Sequence, residues 1–271
     1  MLASRVHAIM AAGLENPELL ARWQREPDLL RSYGVDPAEF DLDAIWKFAG
    51  LSAKVKHNGL RAELPLTFRF LNVNSLEIEV FGAYASHKAR SGTRYAATTD
   101  GRIVELMSFL RDWLDFDKRK HSLLWDLIRH EAALAGLRKL TPSPKKCRVP
   151  HVVGEIILHE MSSDPREVGK LLRQKSFDAR RVRRRVVHLC YWNAGDPDEI
   201  SILELDELGF NLLSLVDGKR SMADFNELFG GGSRVSKKLN GAFATLATVG
   251  VISLGGGQYS PRVVLTVSKR V

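Results

Sequence analysis

The sequence predicts an α+β chain in which an N-terminal helical bundle is followed by a winged helix-turn-helix domain. Three observations carry this expectation. Proline-led helix starts recur through the first 140 residues, the Pro-, Lys- and Ser-rich stretch "KLTPSPKKCRVP" breaks that rhythm, and strand-like runs beyond it lead into three short helices. The expected organisation is a helical domain over 1–140, a basic connecting segment over 141–185 and a winged-helix domain over 186–271. A chain of 271 residues with 45% apolar side chains can fill two ordinary cores.

The helical half is read in order. "NPELLARWQ" sets Asn16 as cap and Pro17 at the first helical position, and "EPDLLRSYG" repeats the proline start and ends on Gly34. "DPAEFDLDAIWKFAGLSAKVKHNG" places Asp36 before Pro37 and is expected to stop at Asn58-Gly59. The stretch "NSLEIEVFGAYASHK" is two-valued: Leu76, Ile78 and Val80 alternate as in a strand, whereas Leu76, Val80, Phe81 and Tyr84 suit a helix, which the helical setting favours. Ile103, Leu106, Leu110 and Trp113 then form one stripe, and Leu123, Leu127, Leu134 and Leu137 another; both read as core.

The C-terminal region has a different period. An apolar run from Val186 to Trp192, a turn-rich break at 193–199 and an alternating run from Ile200 to Leu205 predict a hairpin with a long loop. Three helical stripes follow: Leu208, Leu212 and Leu215; Met222, Phe225, Leu228 and Phe229 behind a Ser221 cap; and Val235, Leu239, Phe243 and Leu246. "VGVISLGGGQYSPRVVLTV" closes as two strands around a Gly-rich turn, the wing.

The net charge of +8 is unevenly placed. Residues 141–186 carry 12 Lys or Arg against 5 Asp or Glu, while 1–140 carry 20 against 18 and 187–271 carry 8 against 9. The densest run is "ARRVRRRV", with Arg183, Arg184 and Arg185 at its end. It reads either as a solvated face or linker, or as an electrostatic dock for an acidic peptide, an acidic protein or phosphate backbone. No apolar run reaches the ~18–20 residues that span a bilayer, and the N-terminus is too polar and too soon helical for a signal peptide. Cys147 and Cys190 are the only cysteines and form no CxxC, which argues for a reducing, cytoplasmic setting without disulfides or structural zinc.

Catalytic motifs are missing. His130-Glu131 and His159-Glu160 are followed by Leu134 and Ser163 where zinc chemistry needs a second histidine, and the Gly-rich stretches lack the lysine and spacing of a phosphate loop. The scattered Cys147, His151, His159, His188 and Cys190 read as core or surface residues. The expectation is therefore no catalytic residue, no metal site and no cofactor in this chain.

Two stretches resemble known families. "ISILELDELGFNLLSLVDGKRSMADFNELF" and the helix after it, within about 186–265, look like the leader-peptide recognition element of ribosomally made peptide natural products, similar to the pyrroloquinoline-quinone peptide chaperone. "ELPLTFRFLNVNSLEIEVFGAY" resembles the "LPxTxRL…LExxVFxxY" stretch of the partner subunits in methanobactin and 3-thiaglutamate biosynthesis. The resemblance implies a heterodimer with a TIM-barrel, multinuclear non-haem iron oxidative enzyme, which holds the iron. This chain would bind the leader and present the precursor's cysteine-containing C-terminus, with 3-thiaglutamate-type cysteine β-carbon excision favoured over methanobactin-type modification.

On that reading an extended peptide adds a strand beside Ile200, Ile202 and Glu204, in a cleft against the third helix near Lys237, Lys238, Ala242 and Thr245. Arg69, Phe81 and Tyr84 would lie at or near the enzyme interface. The alternative is a winged-helix transcription regulator: the third helix offers Arg234, Lys237, Lys238 and Asn240 to DNA, but its remainder, "GAFATLATVG", has little to meet phosphates or bases.

Overall fold

The computed structural model describes residues 2–48, 57–140, 147–174, 176–196 and 198–255. The chain is α+β, mostly helical with a small antiparallel sheet. It divides into two compact units, one of Met1–Ala132 with Pro165–Val182, the other of Ala133–Asp164 with Arg183–Val271.

The first unit holds α1 (Leu2–Glu15), α2 (Pro17–Arg25), α3 (Asn58–Glu63), α4 (Pro65–Val73), α5 (Glu77–Ser91), α6 (Thr99–Trp113), most of α7 (Arg119–Arg138) and α8 (Pro165–Leu172). The cap signals act as chemistry requires. The Asn16 side chain accepts the Leu19 N–H, and Thr98 accepts the Gly101 N–H. Pro27–Tyr33 is a 3-10 helix closed by Gly34 at φ +76°. Leu20, Trp23, Leu30 and Ile45 fill one core of this unit. The two-valued stretch is helical, because Val80, Phe81 and Tyr84 then bury one common face. The expected helix end at Asn58-Gly59 is instead the start of α3; residues 49–56 before it lie outside the described residues.

The second unit is built on β2 (Glu155–Met161), β3 (Val187–Asn193) and β4 (Ile200–Leu205), an antiparallel sheet in the order β2-β3-β4. Three helices follow β4: α9 (Glu207–Leu215), α10 (Met222–Leu228) and α11 (Ser233–Val249). Asp206 caps α9, and Ser221 with Asp224 forms a capping box on α10. Between them "DGKR" makes only a turn: Gly218 sits at φ +74°, Asp217 accepts the Lys219 N–H, and Arg220 bonds Asp217 and the Leu215 carbonyl. β5 (Ile252–Ser253) pairs with β1 (His151–Val152) from far upstream, and the expected second wing strand lies at 256–271, outside the described residues.

The segment expected to be a connection, 141–185, differs from that reading. Its described residues supply β1, β2, α8 and a 3-10 turn at Ala179–Arg181, and they are shared between both units. Its excess of Lys and Arg hid an ordinary pattern in which Ile156, Ile157 and Leu158 pair with β3 while Val168 and Leu172 are buried.

The three-stranded sheet is covered on both faces. On one, Cys190, Trp192, Ile156, Leu158, Leu203 and Leu205 meet the apolar stripes of α9, α10 and α11. On the other, Leu189, Tyr191, Ile157, Ile200 and Ile202 meet Ala133, Leu134 and Leu137 of α7. The central strand β3 is therefore apolar almost throughout, as strands buried on both faces are.

Candidate functional site

Among the described residues β4 pairs with β3 alone, so it is an edge of the sheet. An edge strand presents a row of N–H and C=O groups that a further strand can bond. The Cα register aligns Ile200 with Asn193, Ile202 with Tyr191, Leu203 with Cys190 and Leu205 with His188. Side chains of a strand alternate, so Ile200, Ile202 and Glu204 share the face toward α7, while Ser201, Leu203 and Leu205 share the face toward α9–α11.

This geometry corrects the expected cleft. Ala242 packs into the core on the α9–α11 side, whereas Ile200 and Ile202 belong to the opposite face, so they do not line one cleft together. The residues of β4 that face the helices are Leu203 and Leu205, which the sequence reading did not single out. Lys237, Lys238 and Thr245 are exposed on α11, and the Thr245 hydroxyl donates back to the Gly241 carbonyl.

The basic run is also partly spoken for. Arg185 forms an ion pair with Glu204 at 2.5 Å and lies 3.7 Å from Asp164, so a residue expected to dock a partner and one expected to touch peptide neutralise each other. Arg183 and Arg184 are exposed. Upstream, the exposed Arg180 is bound to Asp178, whose carboxyl it holds below its ordinary pKa.

In the first unit, Phe81 and Tyr84 are core residues at 6% and 1% exposure, and of the three expected interface residues Arg69 alone reaches solvent. Phe81 stacks between Phe68 and His57, at 5.2 and 4.4 Å between ring centroids. The Tyr84 hydroxyl reaches Glu105, which also takes the Lys88 ammonium at 2.8 Å and the Ala96 N–H at 3.0 Å. Burial opposes ionisation of Glu105, but these bonds hold its carboxyl below the usual range, and burial pushes the Tyr84 phenol up. The cluster is a structural lock between α5, α6 and the loop joining them.

Arg69 lines an open groove of about 530 Å³ with Arg61, Pro65, Phe68, Asn72 and Val73. The Arg61 guanidinium pairs with Glu77 and lies over the Phe68 ring, 4.6 Å from its centroid. Among the described residues the Arg69 guanidinium has no ionic or hydrogen-bond partner. The groove rides on α4, and α4 is held by a group the sequence reading treated only as half of a failed zinc motif. The buried Glu131 carboxylate accepts the Leu66 and Thr67 N–H groups at 2.7 and 2.8 Å, one oxygen each. It satisfies two donors of the first helical turn and sets a negative charge at the positive end of the helix.

Among the described residues no cluster of three or more His, Cys, Asp or Glu is placed to hold a metal ion, and no helix is long and apolar enough to cross a membrane. Cys190 is fully buried and burial pushes its thiol up to about 12, while Cys147 is partly exposed. No protein-family model matches the chain, and no curated protein matches its sequence.

Proposed function

We propose that this chain is a non-catalytic partner subunit that captures the leader of a ribosomally made precursor peptide. It would present the precursor's cysteine-containing C-terminus to an iron-dependent oxidative enzyme, with 3-thiaglutamate-type chemistry favoured. The second unit, on this reading, is a winged-helix-like leader-recognition element, and the Arg69 groove of the first unit is the face offered to the enzyme. The observation that carries the proposal is the edge position of β4, immediately ahead of three short helices in the same unit. Strand addition there needs an edge and apolar neighbours but no basic face; among the described residues β4 pairs only with β3, and its isoleucines and leucines lie in the two apolar layers.

The test is co-expression with an iron enzyme and a short precursor, which this reading expects to be encoded beside the chain, followed by size exclusion and peptide binding. Successive N–H groups of a strand point to opposite sides, so of Ile202→Pro and Leu203→Pro one removes a bond to β3 and the other an outward donor. The variant that keeps a native circular dichroism spectrum should hold the enzyme and lose the peptide, while Arg69→Ala should weaken the enzyme complex and spare peptide binding. A chain that retards DNA with a steep salt dependence and ignores both partners would replace this reading with the transcription regulator.

A further inference from the structure

We infer that the segment this edge takes is apolar at consecutive positions, not at alternate ones, and that Ile200 and Ile202 select it as strongly as Leu203 does. The inference rests on the peptide-capture reading and deepens it. A sheet with one face in water accepts an added strand whose side chains alternate apolar and polar. Here both faces end in apolar, half-buried side chains at β4. Ile200 and Ile202 extend the layer that includes Ala133, Leu134, Leu137 and Tyr191, and Leu203 and Leu205 extend the layer of α9–α11.

A residue added level with Ile202 therefore lies against the first layer, and the next, level with Leu203, against the second. Cross-strand neighbours stand about 4.5–5.5 Å apart, close enough for each to be covered by the side chain opposite. A polar residue at either position would lose water without gaining a partner. The pattern ends at Glu204, which is exposed and paired with Arg185, so the position level with it meets charges and should be polar or ionic. The fitting ligand is thus an extended peptide with two consecutive apolar residues, level with Ile202 and Leu203, and a third level with Ile200, bounded by a polar or charged residue level with Glu204.

The test is selection of displayed random peptides of about 12 residues, enough to lay one strand along β4, on the full chain. Winners are then measured by fluorescence polarisation against Ile202→Thr, Leu203→Thr and Ile157→Thr. Threonine keeps the β-branch of the isoleucines and the strand preference while removing apolar surface, and thermal melting confirms the fold. The inference expects winners with consecutive apolar residues that bind about tenfold more weakly to both Ile202→Thr and Leu203→Thr, in line with losing one to two buried carbons at each.

Winners with alternating apolar residues, sensitive to Leu203→Thr and indifferent to Ile202→Thr, would overturn the two-faced pattern and leave peptide capture standing. Winners sensitive only to Ile157→Thr, on the opposite edge strand β2, would overturn the assignment to β4. Failure to select any peptide would remove the capture reading itself, and the inference with it.

Discussion

Replacing Glu131 tests whether α4 owes its position to a buried carboxylate. Glu131→Ala removes both acceptors of the Leu66 and Thr67 N–H groups, and Thr67 is 1% exposed, so water does not readily replace them. Bonds to a charged acceptor contribute about 1.5–3 kcal/mol each, part of it offset by the burial of the charge, so a loss of about 3 kcal/mol is expected. For a unit of this size each kcal/mol lowers Tm by about 2–4 °C, which puts the variant about 6–12 °C below the parent. Differential scanning calorimetry measures it. A Glu131→Ala variant melting within about 2 °C of the parent would refute the clamp.

The pH dependence of the same group has a definite sign. Burial raises the Glu131 pKa and the backbone bonds only partly oppose this, so the folded state holds the proton more tightly than the unfolded chain. The pH-linked part of its contribution is therefore fully present below the unfolded carboxyl pKa and is lost as pH rises through the folded value, while the two backbone bonds remain. Glu131→Gln cannot ionise, so its stability relative to the parent should increase with pH across that window.

Four further outcomes follow from other sites. Gly154 lies at φ +83°, and a Cβ there would stand 2.1 Å from the Asn193 carbonyl oxygen; Gly154→Ala should destabilise the second unit by about 3 kcal/mol or more in urea unfolding. Under native conditions at mild alkaline pH a thiol reagent should modify Cys147, whereas Cys190 should react only when the chain unfolds. If the basic run docks an acidic partner, Arg183→Ala with Arg184→Ala should weaken association, as should salt that shortens the Debye length from ~10 Å to ~3 Å. The Arg185 pair with Glu204 is more than a third exposed on both sides, so Glu204→Gln, which removes that pair alone, should change folding stability by less than about 1 kcal/mol.

Local chemistry was legible where one residue decides the backbone. Asn16, Gly34, Gly218 and Ser221 mark a cap, a helix end, a turn and a second cap because each supplies an acceptor or a positive φ that its neighbours cannot. The hairpin and the three helices after it were legible from period. The 141–185 segment was not, because its charge count says nothing about which side chains point inward: Arg180 and Arg181 are exposed beside the buried Ala179 and Val182. Glu131 was not legible either, since its partners are backbone N–H groups more than 60 residues away in sequence, and no motif encodes such a pairing.

The candidate peptide edge was half legible, and the missing half is a matter of parity. "ISILEL" shows that a strand exists, but with isoleucine or leucine at 200, 202, 203 and 205 both of its faces look like the inner one. The usual guide, a polar outer row, fails because the end of α7 covers the second face of the sheet. Assigning Ile200, Ile202 and Glu204 to the helix side was thus a choice of face that the strand's own residues could not decide, and a shift of one residue moves every side chain to the other side. The residue that breaks the tie is Glu204. Its carboxylate reaches solvent and pairs with Arg185 at the end of the row formed by Ile200 and Ile202, so the even-numbered face is the one that carries a charge. Arg185 and Glu204, each expected to meet a partner, meet one another on the outer strand, and the register from which any added strand must take its own is set by the ladder of β4 on β3.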